Sequence, residues 1–214
     1  MRTRATRRPP DERRKLILDG AEGVFAAAGY AGADTTALAR AGGVSAPALY
    51  RYFPTKKDLF LEILKLSGDR LAEIWTRIID ESADPLEAMQ RISLAYSEHS
   101  GSRPSVMRIW FQALSDTDAP EVRDALRNSM TTLAGLLEGN LREAQTAGLI
   151  DGDVDPKVAA WDFMAIGFTF EISRLVGMGA QLDQGLFRDW IRHHFKTIGA
   201  RRGSKSGRKA HGDS

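Results

Sequence analysis

Apolar residues recur at helical spacing along nearly the whole chain. From Asp11 to Ala28, the residues Ile17, Ala21, Val24, Phe25 and Ala28 share one helix face. Pro9 and Pro10 precede this segment and Gly29 ends it. Asp34 is placed to cap a short helix, Thr35 to Ala41, with Leu38 pointing inward. Gly42 and Gly43 break that helix, and Val44 is the apolar residue of the turn. Ser45 caps a second short helix, and Pro47 lies in its first turn, where a missing amide proton costs nothing. Leu49 and Phe53, four apart, point inward together, and Pro54 stops the element. Thr55 with Asp58 forms a capping-box pair for a helix that runs to about Asp80.

Two short helices around a glycine turn, braced by a longer one, make a helix-turn-helix pattern. The remaining periodicity predicts helices over 84–100, 103–115, 119–148, 155–178 and 183–199. Breaks fall at Pro85, Gly101 to Pro104, Pro120 and "GLIDGDVDP" over 148–156. No alternating strand pattern and no internal repeat stand out. The expected fold is all-α: an N-terminal three-helix helix-turn-helix domain and a larger C-terminal helical domain. The expected divisions are a basic disordered arm over 1–10, the helix-turn-helix domain over 11–60 (with the helix of about 55–80 linking the two), the second domain over 61–200 and a basic disordered tail over 201–214.

Charge sharpens this picture. The net charge of +2 hides four arginines in residues 1–10 and five Lys/Arg against Asp213 in 201–214. The body between them is acidic. Basic ends of this kind meet nucleic acid or serve as solvated tails. The 214 residues include no cysteine, which excludes disulfides, thiolate metal sites and cysteine nucleophiles and fits a cytoplasmic location. No apolar run approaches a membrane span, and "MRTRATRRPP" has no secretory apolar core.

The stretch "GGVSAPALYRYFPTKKDLF" concentrates the candidate chemistry. Lys56 and Lys57 stand at a helix N-terminus, where positive charge opposes the macrodipole by about 0.3–1 kcal/mol each. A bound anion would relieve that conflict, and free helix-end amides plus an ammonium suit phosphate. Tyr50 and Tyr52 offer hydroxyls nearby. The alternative is that both lysines are solvated and both tyrosines pack at the surface.

This stretch, with the preceding "TTALARA" and the first helix, resembles the TetR family of bacterial transcriptional regulators. The resemblance is close over about residues 11–60 and elsewhere rests on the all-helical layout and "GLIDGDVDPKVAA". It implies a helix-turn-helix DNA-binding domain over 11–60 and a ligand-binding and dimerisation domain over 61–200, with a recognition helix from Ser45 to Phe53 in the DNA major groove. Thr35 and Thr36 would face the backbone or groove edge. Tyr50, Tyr52 and Lys56 match phosphate-holding positions, while Ala46, Pro47, Ala48 and Arg51 fall near base edges. Thr36 stands where the family often has a basic residue, and Asp34 brings an acid toward phosphate. Ala46 and Ala48 supply no hydrogen bonds, so readout falls to thymine-methyl contacts, the two threonines and Arg51. Arg51 reaches either bases or phosphate. The N-terminal arginines either follow the DNA or remain a free tail.

The resemblance further implies a homodimer on a palindromic operator, built through the last two helices. Candidate interface residues are Trp161, Phe170, Arg174, Phe187, Trp190, Ile191 and Phe195. The middle helices would enclose a small-molecule effector, with Trp75, Met89, Tyr96, Met107, Trp110, Phe111, Leu133, Leu137, Phe163 and Phe168 as candidate walls. Few charges fall among them, which suits an apolar or aromatic ligand. Glu171 and Arg174 either orient a polar group of the ligand or form an ion pair. The implied mechanism is a ligand-driven shift that releases a repressor from DNA. No cofactor and no metal are implied. Catalysis has little support: His193 and His194 point apart, and no metal-binding HExxH pattern occurs. The alternative to a regulator is a helical binding or oligomeric scaffold without sequence-specific DNA binding.

Overall fold

The computed structural model of the chain describes residues 9–99 and 106–199. Side chains of 96–99 and of Val106 lie outside the described set. The elements are α1 (Pro10–Gly32), α2 (Thr35–Ala41), α3 (Ala46–Tyr52), α4 (Lys56–Asp80), α5 (Pro85–His99), α6 (Val106–Ala113), α7 (Pro120–Thr146), α8 (Pro156–Leu175) and α9 (Gln184–Ile198), with one 3-10 turn at Leu114–Asp116. Among the described residues the one β-type pairing is a bridge between Ile150 and Gly199.

The predicted end of the first helix at Gly29 reflects a real break. Gly29 has φ 74° and ψ 169°, a conformation closed to residues with a Cβ, and one more turn follows it. The predicted capping box also forms: Thr55 Oγ1 accepts from the Asp58 amide at 3.0 Å, and the Thr55 amide donates to Asp58 Oδ2 at 2.9 Å.

α1 to α3 and the start of α4 share a small core. Ile17, Phe25, Leu38, Leu49, Phe53 and Phe60 are almost fully buried there. Each such side chain contributes roughly 1.5–3 kcal/mol by leaving water. Phe25, Tyr30 and Phe60 form an aromatic cluster, with Phe60 5.1 Å from each of the other two rings. α4 then carries this unit into the larger helical domain, packing mostly on α7, which in turn packs on α8. The α4–α7 crossing is tight at Gly68, where a Cβ would fall 2.2 Å from Ser129 Oγ. Arg70 of α4 reaches back to α1, donating to Asp19 at 2.7 Å and Glu22 at 3.0 Å.

Candidate nucleic-acid interface and effector cavity

α2 and α3 are held by local chemistry that follows directly from sequence. Asp34 Oδ1 accepts from the Thr36 amide at 3.1 Å, and Ser45 Oγ accepts from the Ala48 amide at 3.4 Å. Gly43 supplies φ 66° in the turn, and the Val44 amide then closes onto Ala39 O at 2.9 Å. Leu49 and Phe53 anchor α3 in the core, as their spacing predicts. Its opposite side is open: Ser45, Pro47, Tyr50 and Arg51 are exposed, as is Thr36 on α2. Thr35, Ala46, Ala48 and Tyr52 are half-buried. The Tyr50 hydroxyl lies 3.2 Å from Thr35 Oγ1, so one hydrogen bond links the outer edges of the two short helices.

The lysines behave differently from the anion-site expectation. The Lys56 ammonium donates to Tyr30 O at 2.8 Å and Ala33 O at 3.1 Å, 4.7 Å from the centre of the Tyr30 ring. It therefore caps the negative C-terminal end of α1 rather than standing free for phosphate. Lys57 pairs with Glu121 of α7 at 2.5 Å. Their hydrogen bond raises the lysine's pKa and lowers that of the carboxylate. The charges that oppose one helix dipole are thus drawn to carbonyls and a carboxylate on neighbouring helices.

In the larger domain, a cavity of about 40 Å³ lies among α4 to α9. Six of the predicted wall residues line it: Trp75, Met107, Trp110, Leu133, Phe163 and Phe168. Met89 and Leu137 do not; both are fully buried elsewhere in the core. Phe111 stands behind the wall, its ring 6.5 Å from that of Phe168. Tyr96 lies outside the described side chains. Leu71, Ile92, Ser93, Met164 and Gly167 complete much of the wall. Leu71 was legible as the residue one helical turn before Trp75; the others carried no signal distinct from ordinary core.

Phe187 and Ile191, expected at a dimer interface, line this cavity instead. Phe170 is buried against Phe187, with ring centres 4.2 Å apart, and Phe195 is buried beside Phe163. These four serve the protomer core because they fall on the inward faces of α8 and α9. Arg174 is half-buried and 3.8 Å from the buried Glu171 carboxylate, an ion pair within α8. Trp161 is exposed and Trp190 half-buried. Val158, Ile172, Leu175 and Leu186 are also exposed. With Trp161 and Trp190 they leave an apolar outer face on the last two helices.

This arrangement defines a class: a helix-turn-helix unit with an exposed second helix, coupled to a helical domain with an apolar cavity. The profile described as "Bacterial regulatory proteins, tetR family" matches residues 17–63, and that described as "Tetracyclin repressor-like, C-terminal domain" matches 110–193. The nucleoid occlusion factor SlmA of Vibrio vulnificus is 30% identical over 152 residues, covering 69% of this chain and 76% of that one. The transcriptional activator FasR of Mycolicibacterium smegmatis is 41% identical over 68 residues, covering 32% of this chain; the match spans only 31% of FasR. A regulator from Saccharomonospora viridis, solved in complex with choline, shares the fold with a TM-score of 0.75, 23% identity and coverage of 89% and 100% of the two chains. The chain belongs to the TetR family of bacterial regulatory proteins. Members of this family are DNA-binding transcriptional regulators, not enzymes, and they dimerise and bind small molecules. Among the described residues, no helix is long and apolar enough to cross a membrane.

Arg2, Arg4, Arg7 and Arg8 of the arm and the whole tail over 201–214 lie outside the described residues.

Proposed function

We propose that this chain is a ligand-released repressor that binds a palindromic operator as a homodimer in the cytoplasm. Residues 11–60 form the DNA-binding domain, and 61–200 the ligand-binding and dimerisation domain. The observation that carries the reading is the division of α3 into an anchored face and an open one. Leu49 and Phe53 fix the helix, while Ser45, Pro47, Tyr50 and Arg51 face outward. Tyr50, Tyr52 and the Thr35 and Thr36 hydroxyls bond phosphates and fix register. Ala46, Pro47, Ala48 and Arg51 meet base edges, the apolar three against thymine methyls. Lys56 has no DNA role in this reading.

A mainly apolar effector follows from the state of the cavity's polar groups. Ser93 Oγ already donates to Gln90 O at 2.7 Å, and the Trp110 indole N–H donates to Ser67 Oγ at 3.0 Å. A ligand there meets aromatic and aliphatic surface with no unmet polar demand. The cavity of about 40 Å³ holds little more than a few waters, so a ligand must push its walls apart. Expansion of this kind supplies the differential affinity that shifts a population, and by linkage operator DNA weakens the ligand by the same factor.

An electrophoretic shift on the protein's own upstream DNA at moderate salt tests the reading. Saturable, sequence-dependent binding is the expected result. Weak binding that vanishes with salt contradicts it and supports a helical scaffold instead.

A further inference from the structure

We propose that Gln112 is a positioning residue, the latch through which the cavity controls the DNA-binding unit. The proposal rests on the ligand-release reading above and names the group that transmits it. α6 is one short helix with two faces. Met107 and Trp110 line the cavity, while Gln112 turns to α1 and donates from Nε2 to Ala26 O at 3.4 Å. Ala26 lies in the last turn before the Gly29 break, where a helix leaves carbonyls without intrahelical partners.

The break is held from both sides. Gln112 grips the carbonyl before it, and Lys56 grips Tyr30 O and Ala33 O after it. One clamp comes from the cavity wall, the other from the start of α4. Gly29 can change its backbone angles more freely than any other residue type, so the segment between the clamps is the natural hinge.

The latch is poorly satisfied in this arrangement. Its bond is long, and Gln112 Oε1 is buried with no hydrogen-bond partner. A buried amide oxygen left without a donor favours any alternative that supplies one. A shift of α6 away from an occupied cavity releases Gln112 from Ala26 and frees α1 to turn at Gly29.

Filling the cavity by mutation tests this without a known ligand. A Cβ at Gly167 meets no heavy atom within 4 Å, so Gly167→Val places methyl groups into the free space beside the cavity. Hydrogen exchange is measured on the full chain, with Gly167→Leu as a second filler should the first fail to fold. With Gln112 present, the filler should speed exchange of amides in α1 to α3 about tenfold, within the usual range of coupling between sites. In a Gln112→Leu background it should not speed them at all. A merely structural glutamine would change the baseline but leave the filler's effect intact. Equal acceleration in both backgrounds overturns the proposal, as does no acceleration with Gln112 in place. DNA binding by the unaltered chain is a separate readout, so failure of the latch and failure of the regulator reading are told apart.

Discussion

The Trp110 indole N–H donates to Ser67 Oγ at 3.0 Å, and that hydroxyl donates in turn to Leu64 O at 2.6 Å. One ring therefore lines the cavity and fastens α6 to α4, the helix that leads into the DNA-binding unit. Ser67→Ala leaves the buried N–H without its acceptor, which costs about 1–3 kcal/mol. Chemical denaturation should show that loss. Ser67→Thr should recover part of it, because the hydroxyl returns.

Lys56 is a structural brace. Lys56→Met should lower stability by about 1–2 kcal/mol through loss of two charge-assisted bonds to carbonyls. Thermal melting in the absence of DNA reads this directly. An unchanged melting temperature with weakened DNA binding would restore the phosphate role that the sequence suggested.

The outer face of α8 and the core face beneath it should respond oppositely to charge. Trp161 is 42% exposed and Phe170 is 2% exposed. Trp161→Glu should give folded monomers in sedimentation velocity, since it places a charge on the apolar outer face. Phe170→Glu should fail to fold, because it buries a carboxylate against Phe187.

His194 makes stability depend on pH. It is nearly buried, its Nε2 has no partner, and burial lowers its pKa below 6.5, with Asp162 opposing and His193 assisting. Below about pH 6.5 the unfolded chain takes a proton that the folded chain refuses. The stability from neutral His194 is therefore complete above that pH and is lost as pH falls toward the folded pKa. Urea unfolding between pH 7.5 and about 5 should show this slope, and His194→Gln should flatten it.

Sequence alone revealed the helices well because their stops are local chemistry. Pro54, the Gly42–Gly43 turn, and the caps at Asp34, Ser45 and Thr55 act within a few residues. The anchored and open faces of α3 were legible for the same reason, through Leu49 and Phe53. Partners distant in sequence were hidden. Lys56 meets Tyr30 and Ala33 of α1, and Lys57 meets Glu121, because long flexible stems carry an ammonium to whatever packing brings near. Helix 184–198 poses the converse difficulty. Its spacing marks one apolar face to be covered but not whether the protomer's own core or a partner covers it, and Phe187 and Ile191, expected at a dimer interface, line the cavity.

If the open face of α3 reads DNA, paired substitution there weakens binding without unfolding the chain. Tyr50 and Arg51 are exposed, so Tyr50→Ala with Arg51→Ala should leave the melting temperature nearly unchanged. Fluorescence anisotropy on the chain's own upstream DNA should then show affinity reduced by at least about tenfold, the loss of roughly 1.4 kcal/mol or more in phosphate and base contacts. Equal affinity of the paired variant and the unaltered chain would exclude this face as the DNA contact.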